Sequence, residues 1–81
     1  MFIKYKDESG TTTLINLDKV EFMQGKFDKD GYILIVETAD HTYSLFGKLD
    51  VEEAQSLMKY IEECISNSSV KIVDLYHWAR N

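Results

Sequence analysis

The stretch that decides the fold is TYSLFGKLDVEEAQSLMKYIEECISN, residues 42–67, in which the spacing of apolar side chains changes. Over residues 42–47, Tyr43 and Leu45 alternate with polar residues, which is the period of a β-strand with one solvated face. From residue 51 onward the apolar side chains follow the i, i+3, i+4, i+7 spacing of an amphipathic helix. They are Val51, Ala54, Leu57, Met58, Ile61 and Ile65. The sequence therefore predicts a strand over 42–47 and a helix over 51–65.

The start of this helix carries a complete set of capping signals. Asp50 is a favourable N-cap residue, and Glu53, three positions later, completes a capping box. Glu52 and Glu53 also suit the positive end of the helix dipole. At the other end, Glu62 and Glu63 lie where the dipole prefers cations, so they form either a solvated face or a contact for a basic partner.

Four earlier segments have the β pattern, with β-branched and aromatic residues between turn signals. They cover residues 2–7, 11–17, 19–26 and 32–38. The run ILIV, residues 33–36, predicts a strand that is buried on both faces at the centre of the sheet. In 19–26, we expect Val20 and Phe22 to point inward and Gly25 to mark a bulge. The predicted class is α+β, an antiparallel meander of about five strands followed by one helix.

The ending VKIVDLYHWARN, residues 70–81, fits two templates. Its β-branched residues favour a strand over 70–75 followed by an aromatic tail. A helix with Ser69 as its cap would instead align Ile72, Leu75, Tyr76 and Ala79 along one stripe. The segment at 70–78 is thus a strand or an aromatic tail, docked on its own chain or on a twin subunit.

The large apolar groups of this ending predict a contact surface. The expected interface residues are Leu75, Tyr76, His77 and Trp78. Two buried aromatics contribute several kcal/mol, on the order of 25 cal/mol per Å² of buried apolar surface. Because two-fold dimers are the commonest assembly, we expect a homodimer made by this tail and a sheet edge.

Length and charge restrict the remaining possibilities. The 81 residues suffice for a single domain, 1–81, and the net charge is −5. An acidic chain disfavours nucleic acid unless its lysines are segregated. The candidates for a lysine-bearing sheet face that could bind nucleic acid are Lys4, Lys6, Lys19, Lys26 and Lys29, with the aromatic residues Tyr5, Phe22 and Phe27. The longest apolar run has four residues, too few for a membrane span, and the expected compartment is the cytoplasm.

No motif for catalysis, a cofactor or a metal is present in the sequence. The glycines do not form a phosphate loop, and the only cysteine, Cys64, is expected in the core. DKDGY at 28–32 starts like a calcium loop, but its glycine comes too early, so a turn is the better interpretation. His41 is expected in an exposed turn. We therefore predict that the protein is not an enzyme and has no cofactor.

Roughly residues 14–63 carry the stretch INLDKVEFMQ…YILIVETADHTYSLFGKLDVEEAQSLMKYIEE. This stretch resembles a pattern seen in small bacterial and phage-associated proteins. In these a β-meander precedes one helix, in a manner similar to pleckstrin-homology-like domains, which have more strands before the helix. The resemblance implies a binding scaffold and transfers no functional residue.

The function predicted from the sequence is a non-catalytic protein–protein interaction module that forms a homodimer. One alternative is an acidic inhibitor that binds a basic partner through Asp50, Glu52, Glu53, Glu62 and Glu63. Another is weak binding of single-stranded nucleic acid through the lysine-bearing sheet face.

Overall fold

The computed structural model describes residues 1–80, and this part of the chain forms six β-strands and two α-helices. The strands are β1 (Phe2–Lys6), β2 (Thr12–Asn16), β3 (Val20–Asp28), β4 (Gly31–Thr38), β5 (Thr42–Leu49) and β6 (Ile72–Asp74), and the helices are α1 (Val51–Ser66) and α2 (Leu75–Arg80). The predicted α+β class is confirmed, and β1 to β5 and α1 lie within two residues of their expected bounds. Asn81, the last residue of the predicted domain, lies outside the described residues.

The strands divide into two three-stranded sheets, in the orders β2-β1-β6 and β3-β4-β5. The meander is interrupted between β2 and β3 by a 3-10 turn, Leu17–Lys19. There the Asn16 side chain accepts a hydrogen bond from the Asp18 N–H at 3.0 Å, which satisfies a free donor at the turn's start. Neighbouring strands are antiparallel except for β1 and β6, which run parallel with Phe2 opposite Ile72.

One hydrophobic core lies between the two sheets and α1. Its buried side chains come from both sheets and both helices, namely Ile3, Ile15, Tyr32, Leu34, Val36, Leu45, Ala54, Leu57, Ile61, Cys64, Val73 and Leu75. The amphipathic pattern of α1 is confirmed, because its buried positions are Ala54, Leu57, Ile61 and Cys64. Burial of each large aliphatic side chain contributes about 1.5–3 kcal/mol.

The capping box of α1 forms as the sequence predicts. Asp50 Oδ1 accepts from the Glu53 N–H at 2.8 Å, and Glu53 Oε1 accepts from the Asp50 N–H at 3.1 Å. Two backbone donors at the helix start are thereby satisfied. The helix ends at Ser66, close to the predicted residue 65, with Asn67 as its C-cap.

The C-terminal segment combines both templates suggested by its sequence. Residues 72–74 pair with β1 as a strand, and a helix begins at Leu75. The observed strand thus starts two residues later and ends one residue earlier than the predicted strand over 70–75. The helix begins later than in the helical alternative capped by Ser69, because the residue that precedes it is Asp74. Asp74 Oδ1 accepts from the His77 N–H at 2.9 Å, the bond of an N-cap side chain.

Two expectations for β3 were wrong. Phe22 is 44% exposed instead of inward, because a bulge between Val20 and Phe22 shifts the register and turns Met23 toward the core. The bulge does not lie at Gly25. A Cβ atom at Gly25 would overlap the Tyr32 ring, so glycine is required there by the ring that lies across it.

The central strand β4 is buried on only one of its faces. Leu34 and Val36 are completely buried, whereas Ile33 and Ile35 on the opposite face are half-buried and lie outside the core. This second face, which we call the outer face, consists of Phe22, Gln24 and Lys26 on β3, Ile33, Ile35 and Glu37 on β4, and Thr42 and Ser44 on β5. The expected central position of this strand is confirmed, but the expected burial of both faces was wrong.

Candidate binding cleft beside the C-terminal helix

Three aromatic side chains connect β1, β5 and α2. Tyr5 and Phe46 meet edge to face with ring centres 5.1 Å apart, and Phe46 meets Trp78 in the same way at 5.6 Å. The Trp78 indole N–H donates to Ser56 Oγ on α1 at 3.2 Å. Such aromatic pairs contribute about 0.5–1.5 kcal/mol each beyond the area they bury. The C-terminal helix is therefore held against its own chain.

Phe46 has an unusual backbone conformation. Its φ is +65°, and that of Gly47 is +136°. Ile33 pairs with Phe46 and Tyr32 with Leu49, so Gly47 and Lys48 are additional residues that bulge from β5. A bulky residue in this region costs about 1–3 kcal/mol, and such residues are concentrated at functional sites. The bulge directs β5 toward β1 and α2.

An open cleft of about 900 Å³ lies where this bulge meets α2 and two hairpin turns. Its aromatic and aliphatic lining comes from Tyr5, Ile33, Phe46, Leu49, Tyr76 and Ala79. Its charged lining comes from Lys6, Asp7, Glu8, Asp28, Asp30, Lys48 and Glu53. The cleft thus has an apolar wall and a charged rim drawn from five separate parts of the chain.

Local hydrogen bonds fix the two turns at the rim. Asp7 Oδ1 accepts from the backbone N–H groups of Ser9 and Thr11 and from the Ser9 hydroxyl at 2.6–3.0 Å. Asp28 Oδ1 accepts from the N–H groups of Asp30 and Gly31 at 2.8 and 3.2 Å. Both are aspartate turns, in which a short side chain replaces a backbone acceptor. The neighbouring acids are therefore held at defined positions on the rim.

The rim is acidic. Five carboxylates and two lysines line the cleft, a net charge of −3, while the whole chain carries −5. One of the lysines already contacts the aromatic wall, because Lys6 Nζ lies 4.9 Å from the centre of the Tyr76 ring. This geometry is typical of a cation–π contact. The rim of the cleft thus carries an excess of carboxylates, and one of the rings in its wall already contacts a cation.

Hydrogen bonding shifts the titration of one rim group. The bond from the Ser9 hydroxyl lowers the pKa of Asp7 below 3.8, and the backbone N–H groups of Thr11, Ser9 and Gly10 act in the same direction. Donors favour the charged form of a carboxyl group. Asp7 therefore stays ionised to lower pH than an isolated aspartate.

The four predicted interface residues have different environments. Leu75 is completely buried in the core of its own chain, and Trp78 is half-buried against Phe46. Tyr76 is half-buried and lines the cleft, and His77 is exposed. Of the four, His77 is the one whose position is exposed.

The predicted acidic residues are separated along α1. Asp50, Glu52 and Glu53 are exposed at its start, and only Glu53 of these three lines the cleft. Glu62 and Glu63 are exposed near its end, where the last turn contains no basic residue. They form a second acidic surface at a distance along the helix.

The predicted lysine face is divided between the sheets. Lys4 and Lys6 belong to β1, whereas Lys26 belongs to β3 in the other sheet. Lys19 lies in the 3-10 turn and Lys29 in the loop after β3. These lysines do not form one continuous face of a single sheet.

The remaining candidate residues have structural surroundings. Cys64 is buried, as expected, and His41 is exposed and contacts the Tyr43 ring at 4.5 Å. Burial, followed by a hydrogen bond with Cys64, raises the pKa of Tyr60 above 10.0. Within residues 1–80, no three His, Cys, Asp or Glu side chains are grouped so that they could hold a metal ion.

The sequence did not indicate that the acids of two turns converge on one cleft. Asp7, Asp28 and Asp30 were identifiable only as turn residues. The bulge at Phe46 lines the same cleft, and a phenylalanine in a left-handed conformation has no sequence signal other than the glycine after it.

No family, no curated protein and no solved structure matches this chain. In the part of the chain that the structure describes, no helix has the length and apolar character needed to cross a bilayer.

Proposed function

We propose that the protein is a non-catalytic protein–protein interaction module that holds a basic segment of its partner in the acidic cleft. The observation that carries the proposal is the combination of a net charge of −3 with an aromatic wall in one open cleft. Arginine and lysine side chains suit such a surface, because they have an apolar stem and a cationic head. A non-catalytic role suits it because its titratable groups are exposed and do not converge in a desolvated pocket.

The expected contacts follow from the lining. Glu8 and Asp30 are exposed on the rim and would pair with cations of the partner, whose side-chain stems would pack on the apolar wall. Arginine should bind better than lysine, because the planar guanidinium stacks on aromatic rings and forms two parallel bonds with a carboxylate. The partner's cation would compete with Lys6 for Tyr76.

A fluorescently labelled hexa-arginine peptide tests the proposal by anisotropy at low ionic strength. We expect the double variant Glu8→Gln/Asp30→Asn to raise the Kd by about fivefold, since each exposed pair contributes about 0.2–1 kcal/mol. Hexa-lysine should bind more weakly than hexa-arginine. Circular dichroism shows whether each variant keeps the fold.

Glu62→Gln/Glu63→Gln is the matched control, because it removes the same two charges from exposed positions outside the cleft. We expect less than a twofold change in Kd for this variant, or roughly 0.4 kcal/mol. Equal losses in both variants would show general charge attraction and contradict a cleft site.

The end of α1 is the second candidate surface for a basic partner. Glu62 and Glu63 are exposed where the helix dipole disfavours acids, and a bound cation would offset that cost. A larger loss of peptide affinity in the control variant than in the cleft variant would favour this surface.

The homodimer also remains a proposal. Leu75 and Trp78 pack on their own chain, so a tail-mediated dimer would use Tyr76 and His77 or would exchange the whole segment between subunits. The proposed compartment is the cytoplasm, which suits a chain whose single cysteine is buried and reduced.

A further inference from the structure

The outer face of the sheet β3-β4-β5 is apolar along its middle. Ile33 and Ile35 are half-buried between neighbouring strands, and Phe22 is 44% exposed. None of the three belongs to the core. Solvent-facing strands normally alternate apolar and polar residues, whereas β4 carries ILIV without interruption. A contiguous apolar surface of this kind marks a contact site.

The charges on this face lie at opposite ends. On β3, Lys26 pairs with Ile33, and at the other end Phe22 pairs with Glu37. Ile35 lies midway on β4, two residues from both Ile33 and Glu37. The lysine and glutamate ends are therefore about 13 Å apart at roughly 3.3 Å per residue, too far for a contact within one chain.

We propose that a second copy of this chain docks on the outer face, related by a two-fold axis that passes through Ile35 and runs across the strands. This axis reverses the strand direction and keeps β3 over β3. Lys26 of each copy then lies over Phe22 of the other, diagonally next to Glu37 on the adjacent strand, and Glu37 lies over Ile33. The two Ile35 side chains meet on the axis.

Charge complementarity selects a second copy over other occupants. A uniformly basic partner would meet Lys26, and a uniformly acidic one would meet Glu37. A reversed copy satisfies both ends at once, which is the self-complementarity that a two-fold interface requires. Facing sheets packed about 10 Å apart leave room for the interdigitating side chains.

The expected dimer is weak. Three strands of about five residues give a footprint of roughly 14 by 17 Å per copy, well below the ~800 Å² per partner of a standard interface. We therefore expect association at high micromolar concentration. This inference goes beyond the proposed function, because of the outer-face residues only Ile33 also lines the acidic cleft, whereas Phe22, Lys26, Ile35 and Glu37 do not.

Sedimentation velocity from about 10 µM to about 1 mM tests the inference. We expect the wild-type chain to shift from monomer to dimer over this range. Lys26→Glu alone and Glu37→Lys alone should each remain monomeric, because each places like charges together. An equimolar mixture of these two variants should dimerise again, because each supplies the charges that the other lacks.

Recovery in the mixture cannot come from a folding defect, which mixing would not repair. Ile35→Ser should also abolish the dimer while circular dichroism stays unchanged. A wild-type chain that is monomeric at the highest concentration would overturn the inference. Wild-type association by both single variants, or no recovery in their mixture, would overturn it as well.

Discussion

Tyr5 and Phe46 connect the two sheets by a hydrogen bond and a ring contact. The Phe46 N–H donates to the Tyr5 hydroxyl oxygen at 3.1 Å, and the two rings lie edge to face. The bond satisfies a backbone donor that the bulge removes from the strand ladder. It also holds Phe46 in the left-handed conformation that shapes the cleft.

Tyr5→Phe should lower the free energy of unfolding by about 1–2 kcal/mol, because a partly buried N–H loses its acceptor while the ring contact remains. Urea denaturation measures this change. Tyr43→Phe, a hydroxyl deletion on the same strand as Phe46, is the matched control and should cost less than about 0.5 kcal/mol. Equal losses would mean that the bond to Phe46 has no special role.

Gly25→Ala should destabilise the fold by about 1–3 kcal/mol, because the added methyl group overlaps the Tyr32 ring. A double-mutant cycle with Tyr32→Ala checks the cause. In the Tyr32→Ala background, the added methyl group should cost little. Additive losses would place the strain elsewhere than between residues 25 and 32.

Leu75→Ala should cost about 2–5 kcal/mol, because Leu75 is completely buried at the start of α2. Lys71→Ala, at an exposed position just before β6, should cost less than about 0.5 kcal/mol. Thermal unfolding followed by circular dichroism compares the two variants.

A chain that ends at Ser69 should not fold, since it lacks the buried side chains of Val73 and Leu75. A cooperative thermal transition in that chain would contradict this expectation.

The pKa of Asp7 should lie below 3.8 in the folded protein and rise toward 3.8 in Ser9→Ala, which removes the hydroxyl donor. Because the folded pKa is the lower one, the stability contribution is complete above the unfolded value and is lost as the pH falls through the folded pKa. NMR titration of the side-chain carboxyl carbon measures both values. An unchanged pKa in Ser9→Ala would show that the backbone donors alone hold the charge.

The features that the sequence predicted correctly are those determined by nearby residues. The capping box of Asp50 and Glu53 and the turn at Asp28 each depend on side chains within three positions of their partners. The wrong expectation for Phe22 has a different cause, because the bulge that turns it outward arises from register with β4. Period-two alternation cannot reveal one inserted residue.

The features that the sequence did not predict depend on distant contacts. The sequence favoured a strand over 70–75 but not its partner, because β6 pairs in parallel with β1, about 70 positions earlier in the chain. The cleft requires two turns, a bulge and α2 to meet. The homodimer and the role of the interface residues stay predictions that the experiments above decide.

The parallel pairing of β1 and β6 determines how the molecule resists tension. If the chain is stretched between β1 and α2, we expect the load to fall along the axes of two strands that point the same way. Their hydrogen bonds are evenly spaced, slanted and directed across that load, so we expect them to shear together instead of opening one by one. The three residue pairs between β1 and β6 should therefore act as a mechanical clamp between these two strands.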